Sequence, residues 1–199
     1  MDGEGFDELL LFEGKSLVVY AAGADGFKEQ RRSSTEHAFR SVDEALNPRR
    51  YVPRPLVTRL DEEGKGRGSD PVDVVLRAEN GDLVAFFGHG DGSFDETTLF
   101  PAPPCERAAC AGQAIAEVHV GDPRTTKLVV VGPGLFGFYK LEGKKPAPIE
   151  VDLSLAPPLS STDYVAVGAA DLDGDGVDDL AVMPSGSSIH ILRGIPVHE

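Results

Sequence analysis

The sequence contains no tryptophan, only two cysteines and few basic residues, with 19 Lys and Arg against 33 Asp and Glu and a net charge of −14. This shortage of positive charge argues against binding to nucleic acid or to an anionic membrane surface, because phosphate binding depends on Lys and Arg. No apolar run approaches the roughly 20 residues that cross a bilayer, so membrane insertion is not expected. Two cysteines are too few for a disulfide-built scaffold. A globular protein with an acidic surface remains, and such a surface attracts cations.

Internal similarity divides the chain of 199 residues into four units. Residues 7–26 align without a gap to residues 73–92, with identical residues at seven of the 20 positions. A second match relates DGEGFDEL at residues 2–9 to DGDGVDDL at residues 173–180, and a weaker third copy covers residues 127–141. These matches predict units at approximately 1–53, 54–112, 113–161 and 162–199.

Each unit is predicted to be β-structure, because short apolar runs alternate with turn-forming residues. The predicted strand pairs are LLLF with SLVVY, VVL with DLVAFF, LVVV with LFGFYKL, and LAV with SSIHIL. A further strand precedes the last three pairs, at residues 54–60, 114–120 and 164–170. Tight turns are predicted at Gly14–Ser16, Asn80–Asp82 and Ser185–Ser187. Sheets of about four strands that repeat every 40–60 residues are typical of β-propeller blades.

The longest insertion, residues 28–59, carries eight bases against four acids, a net +4 in a chain whose remainder is −18. It contains the one predicted helix, Thr35–Asn47, which Pro48 would end. Loops on a rigid scaffold often carry function, so this insertion is either a partner-contact region or a solvated loop without a specific partner.

The candidate chemistry is concentrated in residues 171–179, DLDGDGVDD, which hold five carboxylates in nine residues between two predicted strands. Carboxylates about 4 Å apart repel each other by about 1 kcal/mol in water, and by more where they are shielded, so this loop favours a cation. Alternating spacing lets the side chains converge, and an all-oxygen shell in a flexible loop is typical of Ca²⁺. The predicted ligands are Asp171, Asp173, Asp175, Val177 through its carbonyl oxygen, and Asp179. The alternative is an acidic turn that binds nothing.

GAADLDGDGVDDLAV at residues 168–182 and FFGHGDGSF at residues 86–94 resemble the FG-GAP/VCBS repeats of integrin α-subunit heads and many bacterial surface proteins. The resemblance implies an all-β fold in which the four units are blades of a β-propeller, usually a ring of seven. It also implies that the acidic loop joins the first two strands of a blade and holds a structural Ca²⁺ through the same five residues.

The other units depart from this calcium motif. The first unit predicts a truncated second site that lacks its first ligand and consists of Asp2, Glu4, Phe6 through its carbonyl oxygen, and Glu8. In the second unit the surviving acids are Asp61, Glu63 and Asp73. There Lys65 and an inserted stretch disrupt the spacing, and in the third unit Lys127 stands at the closing position.

The two cysteines give an indication of the cellular compartment. Cys105 and Cys110 are five residues apart and are predicted to form a small disulfide loop. Such a bridge fits an extracellular, periplasmic or cell-surface protein. The alternatives are two unrelated thiols or a metal-binding pair.

The expected function is a calcium-stabilised extracellular scaffold or binding module that contacts a protein or glycan through loops, without catalysis. Two alternatives remain open: the propeller domain of a secreted carbohydrate-active enzyme, either a lyase or a glycosidase, and a purely structural repeat in a large adhesin. Residues 2–9 begin inside a calcium loop, so the chain is expected to be part of a longer protein. A complete four-bladed ring is the alternative.

Overall fold

A computed structural model describes residues 8–39, 55–60, 71–102, 114–119, 127–132, 135–151, 164–184 and 188–194. These residues contain thirteen β-strands and no helix, which confirms the predicted all-β class. None of the described segments forms a helix that could cross a membrane. The chain divides into two compact units, the first made of Met1–Arg59 with Ser69–Pro101 and the second of Leu60–Gly68 with Ala102–Glu199.

The first compact unit contains a two-stranded and a four-stranded antiparallel sheet. The two-stranded sheet pairs β1 (Glu8–Gly23) with β2 (Gly26–Phe39). The four-stranded sheet follows chain order and consists of β3 (Leu56–Thr58), β4 (Asp73–Arg77), β5 (Leu83–Gly88) and β6 (Phe94–Phe100).

The predicted turn at Asn80–Asp82 is confirmed as the connection between β4 and β5. The N–H of Ala78 donates to the carbonyl of Asp82 at 2.9 Å, and the N–H of Gly81 donates to the carbonyl of Ala78 at 3.0 Å. Gly81 has φ of 96°, a left-handed backbone that glycine adopts without steric cost. The Asn80 amide also bonds the Asp82 carboxylate at 2.8 Å, so both side chains hold the turn.

The predicted turn at Gly14–Ser16 is wrong, because β1 runs through it as one strand. The pairing with β2 shifts register between Gly14 and Ser16, which is a β-bulge, and Gly14 has φ of 60°. The chain reverses instead at Ala24 and Asp25, where Gly23 pairs with Gly26. A glycine with positive φ serves a bulge as well as a tight turn, so the sequence pattern fits both.

The predicted helix Thr35–Asn47 is also wrong at its start, because Thr35–Phe39 is the end of β2; residues 40–47 lie outside the described residues. Thr35 and Phe39 are both buried, and a spacing of four residues suits a strand face as well as a helix face. Residues 28–39 of the predicted loop insertion are therefore strand, since pairing with β1 and burial of Phe39 override the local helical pattern.

Aromatic side chains from three strands form the core of the first unit. The rings of Phe12, Phe39 and Phe86 pack together with centroids 5.0, 5.2 and 5.6 Å apart. Leu17 of β1 and Val84 of β5 belong to the same cluster. Long-range packing of this kind joins the two sheets of the unit.

The second compact unit contains a four-stranded and a three-stranded antiparallel sheet, each in chain order. The four-stranded sheet consists of β7 (Ala114–Val118), β8 (Lys127–Gly132), β9 (Leu135–Glu142) and β10 (Lys145–Ile149). The three-stranded sheet consists of β11 (Tyr164–Ala170), β12 (Asp179–Pro184) and β13 (His190–Leu192). The two sheets share one core, in which Val118, Val129, Phe138 and Val182 are buried.

Each of the four sheets draws its strands from one of the four repeats predicted from the sequence. The predicted strand at residues 164–170 coincides with β11, and LVVV and LFGFYKL lie within β8 and β9. The predicted turn at Ser185–Ser187 lies outside the described residues. The propeller arrangement and the number of blades stay predictions.

Replacing Phe86 with alanine should lower the free energy of unfolding by about 3–5 kcal/mol, because the cavity removes contacts of a fully buried ring. The matched control is Phe27→Ala, whose side chain is 55% exposed and whose loss should cost less than about 0.5 kcal/mol. Urea denaturation followed by circular dichroism measures both. Equal losses in the two variants would contradict the assignment of the core.

Candidate metal centre

The acidic loop connects β11 to β12 and is exposed from Asp171 to Gly176. Its two flanking strands pair directly, with Ala170 opposite Asp179, so the loop closes a β-hairpin. Gly174 and Gly176 have φ of 82° and 87°. These left-handed positions let the backbone fold back inside the loop, where a residue with a Cβ would be strained.

Three side chains of the loop converge. Asp171, Asp173 and Asp175 each offer one carboxylate oxygen, and these oxygens all lie within 4.8 Å of one another. Ca²⁺ holds oxygen ligands at 2.3–2.6 Å, so two ligands of one ion lie at most about 5 Å apart. The oxygen separations and the all-oxygen donor set therefore fit a single Ca²⁺.

Asp171 organises the loop backbone. Its two carboxylate oxygens accept hydrogen bonds from the N–H groups of Gly174 at 2.6 Å, Asp175 at 3.1 Å and Gly176 at 3.0 Å. The bond from Gly176, followed by those from Gly174 and Asp175, holds the pKa of the Asp171 carboxyl below its usual range. Charged Asp171 is thus favoured, as a metal ligand requires.

The other two carboxylates of the cluster also have protein partners. Asp173 forms an ion pair with Arg193, whose Nη2 lies 2.5 Å from Oδ2, and it accepts the N–H of Asp175 at 3.2 Å. Asp175 accepts the N–H of Val177 at 2.9 Å. The guanidinium and the backbone donors offset part of the repulsion among the three carboxylates.

Asp179, the predicted closing ligand, lies in a different environment. It is 3% exposed, and both of its oxygens accept backbone hydrogen bonds. Oδ1 takes the N–H of Gly194 at 2.8 Å, and Oδ2 takes the N–H of Leu172 at 3.2 Å. The structure therefore brings Asp171, Asp173 and Asp175 together at the loop surface, whereas Asp179 is buried at the start of β12.

The sequence does not predict the hydrogen bonds that connect the loop to His119, the residue after β7. Oδ2 of Asp178 accepts a hydrogen bond from the backbone N–H of His119 at 2.7 Å. The Nδ1 atom of His119 lies 2.9 Å from the same oxygen. The N–H of Asp178 in turn donates to the carbonyl of His119 at 3.3 Å. In the sequence Asp178 is one more acid of the loop, and no local signal connects it to a histidine 59 residues away.

The predicted second site is mostly outside the described residues. Asp2, Glu4 and Phe6 lie beyond them, and Glu8 is described only as the first backbone position of β1. Asp61, Glu63 and Lys65 also lie outside, whereas Asp73 begins β4 and Lys127 begins β8.

No protein-family model matches the chain, and no curated protein sequence matches it either. The resemblance to FG-GAP/VCBS repeats therefore rests on residues 168–182, on residues 86–94 and on the repeat pattern of the sequence.

The lowered pKa of Asp171 predicts an acid-sensitive loop. A carboxyl whose pKa is lower in the folded state stabilises that state above its unfolded pKa of about 3.9, and this contribution is lost as pH falls through the folded pKa. In a chelator, the carboxyl carbon shift of Asp171 should titrate below the midpoint found for the same protein in urea. A midpoint at or above the unfolded one would contradict the hydrogen bonds to this side chain.

Proposed function

We propose that the protein is a calcium-stabilised β-sheet scaffold of the FG-GAP/VCBS type, which acts outside the cell and contacts a protein or glycan through its loops. The observation that carries the proposal is the convergence of Asp171, Asp173 and Asp175, with oxygens within 4.8 Å of one another on an exposed loop. Under this proposal the sheets are blades of a β-propeller.

Calcium would supply the positive charge that this cluster lacks. Asp171, Asp173 and Asp175 would hold it, and the carbonyl of Val177 and the carboxylate of Asp179 are the further ligands that the family resemblance implies. Because the loop joins two directly paired strands, a cation held there would stabilise the end of the β11–β12 hairpin. The role is structural, since the cation would tie together groups of one loop.

The contrast between buried strands and exposed loops supports a binding role through the loops. Strands β8 and β5 are buried on both faces, whereas the acidic loop and the β1–β2 turn are exposed. Rigid strands that hold exposed connections are the usual arrangement of a binding scaffold. An extracellular location fits this reading, because millimolar calcium is available there to a weak site.

Calcium should bind with a dissociation constant on the order of 10⁻⁴–10⁻³ M, the range of extracellular modules. The double variant Asp173→Ala/Asp175→Ala should lose this binding and the calcium-dependent rise in melting temperature, while its melting temperature in chelator stays close to that of wild type. Isothermal titration calorimetry and thermal melts with and without 10 mM CaCl₂, about ten times the weaker constant, measure the two effects.

The matched control is Asp25→Ala/Asp91→Ala, which removes the same number of exposed loop carboxylates from the first compact unit. This variant should keep the full calcium-dependent shift. A folded wild-type protein that releases or absorbs no heat with calcium and shows no shift would overturn the proposed function.

The proposed location also predicts that Cys105 and Cys110, which lie outside the described residues, form a disulfide. Protein isolated from its own compartment should show no free thiol in a denaturing, non-reducing thiol titration. After reduction the same titration should count two thiols. Two free thiols before reduction would argue against the bridge and for a reducing compartment.

A further inference from the structure

Two buried aspartates occupy the same place in two different sheets. Asp73 begins β4 and Asp179 begins β12, and each of these strands is the second of its sheet. The two residues are 7% and 3% exposed. A carboxylate that is buried to this degree needs hydrogen-bond donors of its own.

Both aspartates accept a hydrogen bond from the backbone N–H of a glycine. The N–H of Gly88 donates to Oδ1 of Asp73 at 2.9 Å, and the N–H of Gly194 donates to Oδ1 of Asp179 at 2.8 Å. In both cases the glycine follows 15 residues after the aspartate, at the end of the third strand or just past it. The bond therefore joins the start of one strand to the end of its neighbour.

The glycines are required by close packing of the backbone. A Cβ on Gly88 would lie 2.5 Å from the carbonyl oxygen of Val72, and a Cβ on Gly194 would lie 2.6 Å from the carbonyl oxygen of Asp178. In each sheet this oxygen belongs to the residue just before the aspartate. Carboxylate and glycine thus form one unit, in which the missing Cβ allows the approach that the hydrogen bond needs.

We infer that Asp73–Gly88 and Asp179–Gly194 are one repeated structural device, a carboxylate–glycine tie that holds the corner of a sheet without a metal ion. Its donors are backbone N–H groups of the same sheet, so no cation is needed to satisfy the Oδ1 atoms. The tie occurs at Asp73, where the sequence pattern for calcium is disrupted, as well as at Asp179 beside the acidic loop.

At Asp179 the tie gains a further task. Oδ2 accepts the N–H of Leu172, the residue after Asp171, so Asp179 also positions the start of the acidic loop against β12. This assignment goes beyond the proposed calcium function and does not rest on it, because every contact involved lies within the protein.

Backbone amide hydrogen exchange, measured by NMR in excess EDTA, tests the tie at single residues. The amides of Gly88 and Gly194 should be protected in the wild-type protein. Asp73→Ala should speed exchange at Gly88 by about tenfold or more, the factor expected for loss of a charge-assisted hydrogen bond, and should leave Gly194 unchanged. Asp179→Ala should do the reverse, so each variant is the control for the other.

Isosteric variants keep the test decisive if an alanine variant does not fold. Asp73→Asn and Asp179→Asn retain a side-chain oxygen that can accept from glycine, so their effects should be smaller than those of alanine and larger than zero. Unchanged exchange at Gly88 in both Asp73 variants would overturn the inference. Protection of Gly194 that appears only after calcium is added would overturn its independence from metal.

A second measurement tests the steric half of the tie. Gly194→Ala should lower the melting temperature in EDTA by several degrees, because its Cβ would meet backbone atoms that cannot move aside cheaply. Gly168→Ala in strand β11 of the same sheet is the matched control, since no atom lies within 4 Å of the added Cβ. Equal melting temperatures for the two variants would contradict the close approach at Gly194.

Discussion

The main constraint on this chain is the need to satisfy carboxylates that stand where loops enter buried strands. With 33 acids against 19 bases, ion pairs with Lys and Arg cannot serve them all. The structure uses backbone N–H groups instead: Asp171 accepts three of them within its loop, and Asp73 and Asp179 each accept one from a glycine across the sheet. Backbone donors are present at every strand end, and they bond a carboxylate more strongly than a neutral oxygen.

Two histidines also donate backbone hydrogen bonds to carboxylates. The backbone N–H and Nδ1 of His37 both meet Oε1 of Glu96, at 3.0 and 2.7 Å, which joins β2 to β6. His119 meets Oδ2 of Asp178 in the same two ways, at 2.7 and 2.9 Å, which joins the end of β7 to the acidic loop. Within the described residues, each compact unit thus has a histidine that joins elements distant in sequence through a carboxylate. The two histidines share this pattern because the backbone N–H and the ring Nδ1 of one histidine can both point at the same carboxylate oxygen.

The strands could be predicted where burial on both faces makes the sequence continuously apolar, as in β8, or where a repeat supports the pattern, as in β11. Local signals failed where two structures share one spacing, as for Thr35 and Phe39 in β2 and for the bulge at Gly14. Within the candidate site, the convergence of Asp171, Asp173 and Asp175 follows from their alternation. The burial of Asp179 and the pairing of Asp178 with His119 depend on elements far along the chain, which spacing alone does not reveal.

These contacts also explain why a cation would add stability to the acidic loop without being its sole support. Asp171 holds the backbone of the loop from within, Asp179 bonds the N–H of Leu172, and Asp178 is bonded by His119 just after β7. These bonds do not remove the mutual repulsion of the three exposed carboxylates. Arg193 offsets part of it through an ion pair with one oxygen of Asp173. Under the proposed function, a divalent cation would reduce that remaining repulsion. Its binding energy would then come from neutralising charge rather than from folding the loop, as expected of the weak, reversible calcium site proposed above.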